Sequence, residues 1–218
     1  LRWVLVFGDS ITQGYWDTTG GWVDKLRQHY DELQAADLKG RDEPTIFNLG
    51  ISADNSADIL KRVEDETTVR TRHEQSPIAI IQIGINDSCL ENGAPQQSIE
   101  QYRDNLREIT KKLDALDSKV IFVGFSCCEE SKTTPVSWGE HYYTNKDIKS
   151  YEQAMEEVAK ELDVPFILVF EAFSQAYARD SSLLPDGLHP NTAGHQVIFD
   201  IVKPRLFELL NEEAAKDE

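Results

Sequence analysis

A chain of 218 residues, 40% hydrophobic and 28% charged, can enclose a substantial core and reads as a single domain over 1–218 rather than a disordered or fibrous protein. With 39 acidic against 22 basic residues the net charge is −17, which repels nucleic acid and anionic membranes and leaves a neutral or weakly charged small molecule as the expected partner. No apolar run approaches the ~18 residues of a membrane span and no secretory leader is visible, so the expectation is a cytoplasmic protein without stable membrane association, its oligomeric state not legible.

Trp3 to Phe7 is an unbroken apolar run, the pattern of a parallel strand buried on both faces, and Gly8, Asp9 and Ser10 follow it. Ser10 therefore lies just past a strand's carboxyl end, where open α/β sheets leave a crevice for ligands. It is a candidate nucleophile, although the same residues would also make a turn with a capping serine. Gly21 to Leu33 carries Trp22, Val23, Leu26, Tyr30 and Leu33 at helical offsets. Thr45 to Leu49 is a second strand ending at Gly50, and the polar residues 52–56 offer caps to a helix with Ile59, Leu60 and Val63 that runs toward His73. Ile78 to Ile83 is a third strand, ending at Gly84-Ile85-Asn86-Asp87.

Tyr102, Leu106, Ile109, Leu113 and Leu116 keep helical spacing, and Val120 to Phe125 is the fourth strand. Residues 126–145 show no periodicity; at ~20 residues the segment exceeds most connections in a compact domain, which marks it as functional or mobile. Its Trp138, His141, Tyr142 and Tyr143 would serve either as a substrate-lining flap or as a loop packed on its own side chains. Asp147 to Leu162 reads as a helix and Pro165 to Phe170 as a fifth strand, before Asp186-Gly187-Leu188-His189-Pro190. Asn191 or Thr192 caps a last helix with Val197, Ile198, Ile201 and Val202, which Pro204 is expected to kink or interrupt, and residues 212–218 form an acidic tail expected to fray. Strands separated by helices imply right-handed βαβ units, hence an α/β fold with a five-stranded parallel sheet between two helical layers, a three-layer α/β/α sandwich.

Ser10, Gly50, Asn86 and the Asp186–His189 pair all fall at one edge of such a sheet. Acyl transfer needs this set. A serine hydroxyl requires an imidazole to take its proton, and the imidazole requires a carboxylate to fix its tautomer and stabilise the cation it becomes. Donors aimed at the developing oxyanion, typically worth ~3 kcal/mol each, would come from backbone N–H groups near Ser10 and Gly50 and from the Asn86 amide.

Gly8-Asp9-Ser10-Ile11-Thr12, Gly50 in Asn48-Leu49-Gly50, Gly84-Ile85-Asn86-Asp87 and Asp186-Gly187-Leu188-His189-Pro190 resemble, in order and character, the four blocks of the SGNH hydrolases, the GDSL esterases and lipases. The resemblance implies Ser10 as nucleophile, His189 as general base and Asp186 as its orienting acid. It implies an oxyanion hole from the Ser10 and Gly50 amides and the Asn86 side chain. It also implies a flavodoxin-like fold without metal or other cofactor. Ala53 departs from it, standing where many relatives carry a glycine. The expected activity is a serine esterase acting through an acyl-enzyme on a small ester, with a short acyl or acetyl group favoured because no lid is evident. Carbohydrate O-deacetylation and thioesterase or lysophospholipase activity are the alternatives within the family.

Two readings lie outside it. One is a metal-dependent phosphatase with Asp9, Asp87 and Asp186 as ligands, for which no phosphate-cradling glycine loop is present; the other is a binding module that has lost turnover. Asp9 and Asp87 otherwise read as capping or bracing groups, and His195 as packing behind the site. His29, His73 and His141 read as ordinary structural or surface positions, and Cys89, Cys127 and Cys128 as reduced thiols.

Overall fold

The computed structural model describes residues 3–38, 43–71 and 76–214, with side chains through 211. The chain runs β1 (Trp3–Gly8), α1 (Ser10–Gln13), α2 (Gly21–Ala36), β2 (Thr45–Gly50), α3 (Ser56–Arg70), β3 (Ile78–Gln82) and α4 (Ile85–Ser88). It continues through β4 (Leu90–Glu91), β5 (Ala94–Pro95), α5 (Ile99–Asp114), β6 (Lys119–Val123), α6 (Glu130–Thr133) and β7 (His141–Tyr142). It ends with α7 (Asn145–Leu162), β8 (Phe166–Ile167), α8 (Phe170–Arg179) and α9 (Thr192–Ala214).

Five strands form a wholly parallel sheet in the order β2-β1-β3-β6-β8, as expected for a flavodoxin-like α/β fold. Val4, Leu5, Val6 and Phe7 are fully buried, which is why their run shows no polar alternation. From β1 the chain steps outward to β2 and then reverses across β1 to β3, β6 and β8. Because the crossovers are right-handed, that reversal puts α2 on one face and α3, α5 and α7 on the other, with α9 packed on α2. It also opens a crevice beyond the carboxyl ends of β1 and β3. Ser10 and Asn86 sit immediately after those two strands.

Three departures from expectation have local causes. The fifth strand is only Phe166–Ile167, and Phe170 instead starts α8, a helix that was not foreseen. The fourth strand likewise stops at Val123. Both end where the buried Glu152 of α7 reaches in and its Oε1 accepts the Phe125, Val169 and Phe170 N–H groups, taking donors that would otherwise extend the ladder. Pro204 lies inside α9 without interrupting it. The missing N–H is tolerated because Val202, Leu206, Leu209 and Leu210 around it are buried, and tertiary packing outweighs one lost bond.

The segment 126–145, expected to be irregular, contains α6 and β7, and β7 joins β4 and β5 in a small antiparallel sheet through the pairs Leu90–Tyr142 and Glu91–His141. The caps are as read at the last helix, where Asn191 Oδ1 accepts the Gly194 N–H at 3.0 Å. The acidic tail is helical through Ala214 rather than frayed from 212. Its final residues, like His73, lie outside the described residues. Among the described residues no helix is long and apolar enough to cross a membrane, and the three cysteines are free and buried.

Candidate active site

Gly8 ends β1 where nothing larger fits: an added Cβ would stand 2.0 Å from Thr12 Oγ1 and 2.5 Å from the Gln82 carbonyl oxygen. The tight approach lets the chain turn at once into α1, whose N-cap is Asp9, its Oδ1 accepting the Ile11 N–H at 2.9 Å. Asp9 is thus a structural cap, as read. Its burial outweighs the Ile11 amide and the nearby His189, raising its carboxyl to about 6. Gln82, at the end of β3, pins the turn from beneath. Its Oε1 accepts both Thr12 Oγ1–H and Trp22 Nε1–H at 2.9 Å, while its Nε2 donates to the Gly124 carbonyl at 3.1 Å.

Held on this turn, Ser10 Oγ lies 2.9 Å from His189 Nε2, and His189 Nδ1 lies 2.7 Å from Asp186 Oδ2. Burial opposes ionisation of Asp186, but the imidazole and the His189 and Leu188 amides more than compensate and hold its carboxyl well below the usual range. Asp186 is therefore an acceptor only. The proton on the shared bond must sit on Nδ1, which leaves Nε2 bare to accept from the serine hydroxyl. The turn that presents this pair is closed by Asp186 itself, whose Oδ1 accepts the Leu188 N–H at 2.9 Å and the His189 N–H at 2.8 Å.

The structure adds one partner that the sequence did not disclose. Trp16 Nε1–H donates to Asp186 Oδ2 at 2.7 Å, so this carboxylate collects four N–H groups. Nothing in a sequence links residues 170 positions apart; the sole hint was an aromatic pair shortly after the serine. Tyr15 and Trp138 flank the imidazole with ring centroids 4.9 and 5.7 Å from that of His189. His195 packs behind them, fully buried, its Nε2–H donating to the Tyr15 carbonyl at 3.2 Å.

Burial drives His195 down to about 4, so it stays neutral where a free imidazole takes up a proton at about 6.5. Its contribution to stability is present above about 6.5 and lost as the pH falls through about 4. Asp9 and Asp87, raised by burial to about 6 and about 7, act in the opposite sense, contributing at low pH and losing that contribution as the pH rises through those values. Comparing His195→Gln with the parent isolates the histidine: the parent's advantage in urea unfolding should shrink by about 2 kcal/mol between pH 7 and pH 5. A constant difference would mean that His195 takes up its proton at the same pH in the folded chain as in the unfolded one.

The expected oxyanion donors are placed unequally. Ser10 and Asn86 line the cavity. Asn86 is oriented from two sides, its Oδ1 accepting the Tyr143 hydroxyl at 3.0 Å and its Nδ2 donating one hydrogen to the Asp54 carbonyl at 2.8 Å. Tyr143 arrives from the 126–145 segment through the small antiparallel sheet, so that segment serves the site as well as packing on itself. Gly50 is needed for close approach, since a Cβ there would lie 2.2 Å from the Gln13 nitrogen. Its own N–H, however, donates to Asn48 Oδ1 at 3.0 Å.

Asp87 braces a neighbour rather than its own turn: both carboxylate oxygens accept from Ser56 at the start of α3, with the Ser56 N–H at 3.1 and 3.0 Å. Asp9, Asp87 and Asp186 are thus each spent on separate protein donors, and among the described residues no group of three His, Cys, Asp or Glu could hold a metal ion. His29 stacks edge-on against Tyr30 and Phe199, and His141 lies in β7. Neither is among the residues that line the cavity over Ser10.

A cavity of about 350 Å³ opens over Ser10 and His189, walled by Tyr15, Trp16, Trp138 and Tyr143 together with Ser52 and Ala53. Ala53 adopts φ 70°, a left-handed conformation that costs an L-residue with a Cβ about 1–2 kcal/mol. The departure from the glycine that the family resemblance implies is therefore carried as backbone strain. Ala53→Gly is expected to raise stability by about 1 kcal/mol, part of the relief being offset by a more flexible unfolded chain. Chemical denaturation measures this, and a loss of stability would show that the alanine methyl is held by packing.

The GDSL-like lipase/acylhydrolase family model matches residues 6–197. The chain is 26% identical over 204 residues to the isoamyl acetate-hydrolyzing esterase of Saccharomyces cerevisiae, covering 90% of this chain and 82% of that one. It is 23% identical over 212 residues to thioesterase 1/protease 1/lysophospholipase L1 of Escherichia coli, covering 97% and 86%. Its fold is shared by a catalytic mutant of an acetylxylan esterase from Geobacillus stearothermophilus, with a TM-score of 0.70 at 20% identity over 92% of each chain. The family match spans the serine turn, the Asn86 turn and the Asp186–His189 turn, the same segments that converge on the cavity, and the chain belongs to the GDSL-like lipase/acylhydrolase family.

Proposed function

We propose that the protein is a serine esterase that cleaves a small carboxylic ester through an acyl-enzyme, with a short acyl group and an apolar alcohol portion. The observation that carries this reading is the unbroken chain of hydrogen bonds from Ser10 through His189 to Asp186, aligned on the floor of an open cavity. Ser10 Oγ bonds to the ester carbonyl carbon as its proton passes to His189 Nε2. The carbon–alkoxide bond then breaks and the imidazolium returns that proton to the departing alcohol. Water repeats the sequence on the acyl-enzyme: its oxygen bonds to the carbonyl carbon, its proton goes to His189, and the acyl–serine bond breaks with the proton handed back to Oγ. The developing oxyanion is met by the Ser10 N–H and by the second hydrogen of Asn86 Nδ2. The Gly50 N–H joins them once the Asn48 side chain releases it.

The walls favour the apolar alcohol. Tyr15, Trp16 and Trp138 are 44%, 56% and 50% exposed, and all three line the cavity. Such exposed rings are contact surface for a ligand. Of the polar side chains on the wall, Ser52 Oγ donates to Gln13 Oε1 at 2.7 Å and Asn86 and Asp186 serve as described, which leaves chiefly the Tyr15 hydroxyl and the Trp138 indole N–H. A polyhydroxylated alcohol would find few free partners. A cavity of about 350 Å³ also sits at the small end of ligand pockets, which favours a short acyl group. The relative named for isoamyl acetate supports this choice within the family. The free, buried thiols of Cys89, Cys127 and Cys128 support a reducing, cytoplasmic setting as part of the same reading.

The test is a panel of nitrophenyl esters of increasing chain length alongside isoamyl acetate, an acetylated xyloside and an acyl thioester, with a fluorophosphonate probe to label the serine. Covalent labelling at Ser10 and a kcat/KM that falls at least about tenfold from acetyl to decanoyl are expected. A clear preference for the xyloside or thioester would move the assignment to another branch of the family. Absence of labelling would remove the acyl-enzyme.

A further inference from the structure

We propose that Trp16 is a positioning residue for the Asp186–His189 pair and, through the exposed part of its ring, a specificity residue for the alcohol portion of the ester. The inference rests on the acyl-enzyme reading above and names a role within it. Its basis is a double placement. The indole N–H donates to Asp186 Oδ2 at 2.7 Å, the same oxygen that accepts His189 Nδ1–H at 2.7 Å, while the ring is 56% exposed and forms part of the cavity wall. Two donors converging on one oxygen fix the carboxylate plane, since Oδ1 is already tied to two backbone amides. The orientation of the imidazole follows from that plane. The indole also stands where water would otherwise compete for a charged acceptor, and a hydrogen bond to a charged group is stronger when solvent is displaced.

Trp16 is not free to leave this position. It holds φ 66°, a conformation that a bulky residue adopts only when its surroundings impose it. The imposing contacts are on both sides: Tyr15 N–H donates to the Ser10 carbonyl at 2.9 Å, the Tyr15 carbonyl accepts from the buried His195, and Asp17 N–H donates to the Gly14 carbonyl at 3.0 Å. The segment that carries the serine therefore also carries the brace for the acid that lies 176 positions later in the chain (186 minus 10). Strain maintained at an exposed residue touching the relay is the mark of a functional constraint, because a surface tryptophan with no task would relax.

Deacylation separates positioning from wall-building, because every acetate ester passes through the same acetyl-enzyme, from which the alcohol has gone. Trp16→Phe keeps an apolar ring and removes the N–H; benzothienylalanine at position 16 keeps the bicyclic shape and removes the N–H. In pre-steady-state bursts with nitrophenyl acetate, both are expected to slow deacylation about tenfold, and to shift the downfield proton resonance of the His189–Asp186 bond. Trp16→Ala should slow deacylation equally and, in addition, lower kcat/KM for nitrophenyl acetate relative to methyl acetate, a ratio that does not contain the deacylation rate. In an Asp186→Ala background Trp16→Phe should cost nothing further.

Deacylation at the parent rate in the two N–H-free variants, with only KM altered, would overturn the positioning role. An unchanged resonance would do the same. A kcat/KM ratio for the two esters in Trp16→Ala equal to that of the parent would overturn the specificity role. If instead Ser10→Ala retains activity, or Asp186→Ala behaves as the parent, the acyl-enzyme reading itself has failed, and that result is distinct from either.

Discussion

Ser10→Ala is expected to lower kcat on nitrophenyl acetate by at least about 10⁴-fold while leaving unfolding free energy within about 1 kcal/mol of the parent. The two halves of this expectation have different origins. Activity falls because no other nucleophile stands on the relay: Thr12, two residues on, is turned away to Gln82, and Ser52 is bonded to Gln13. Stability is spared because the hydroxyl makes one hydrogen bond at the cavity floor, and the alanine methyl fits where the serine methylene already lies. What survives would be the catalysis of the oxyanion donors acting on attack by water. A variant within tenfold of the parent would show that the chain hydrolyses esters by another route.

Asp186→Asn is expected to be nearly as damaging, at about 10³- to 10⁴-fold in kcat, and unlike the serine variant it should also destabilise the chain by about 1–3 kcal/mol. An amide offers one acceptor atom where the carboxylate offers two, yet four N–H groups point at it. Whichever way the amide is turned, its NH₂ faces a pair of donors. If it faces the backbone amides, the turn that carries His189 opens. If it faces the indole and the imidazole, the ring must present a bare Nδ1 and keep its proton on Nε2, where it can no longer accept from Ser10. Steady-state rates and chemical denaturation measured on the same preparation check both halves. Lost activity with unchanged stability would show that the turn does not depend on its carboxylate.

Much of this site was legible in the sequence because the proposed catalysis uses residues at strand ends, and buried parallel strands announce themselves as nearly unbroken apolar runs. Trp3 to Phe7 and Ile78 to Ile83 placed Ser10 and Asn86 at strand ends, and Asp186 and His189 are close enough in sequence to share one turn. What was not legible depends on contacts without periodicity. The two-residue strands Leu90–Glu91 and His141–Tyr142 carry no pattern, so the sheet that delivers Tyr143 to Asn86 could not be foreseen. The early ends of β6 and β8 follow from Glu152, a buried carboxylate in an otherwise ordinary helical stretch. The indole of Trp16 meets Asp186 only through the fold.

The hydrogen bond between Ser10 and His189 joins residues 179 positions apart, and the turn bearing the histidine is held on one side by α9. A growing polypeptide that has emerged from the ribosome only as far as α8 already displays its serine, but it has no base with which to ionise it. On the proposed reading, hydrolytic competence waits until the segment from Asp186 through α9 docks, and a copy lacking that segment cannot cleave an ester through Ser10.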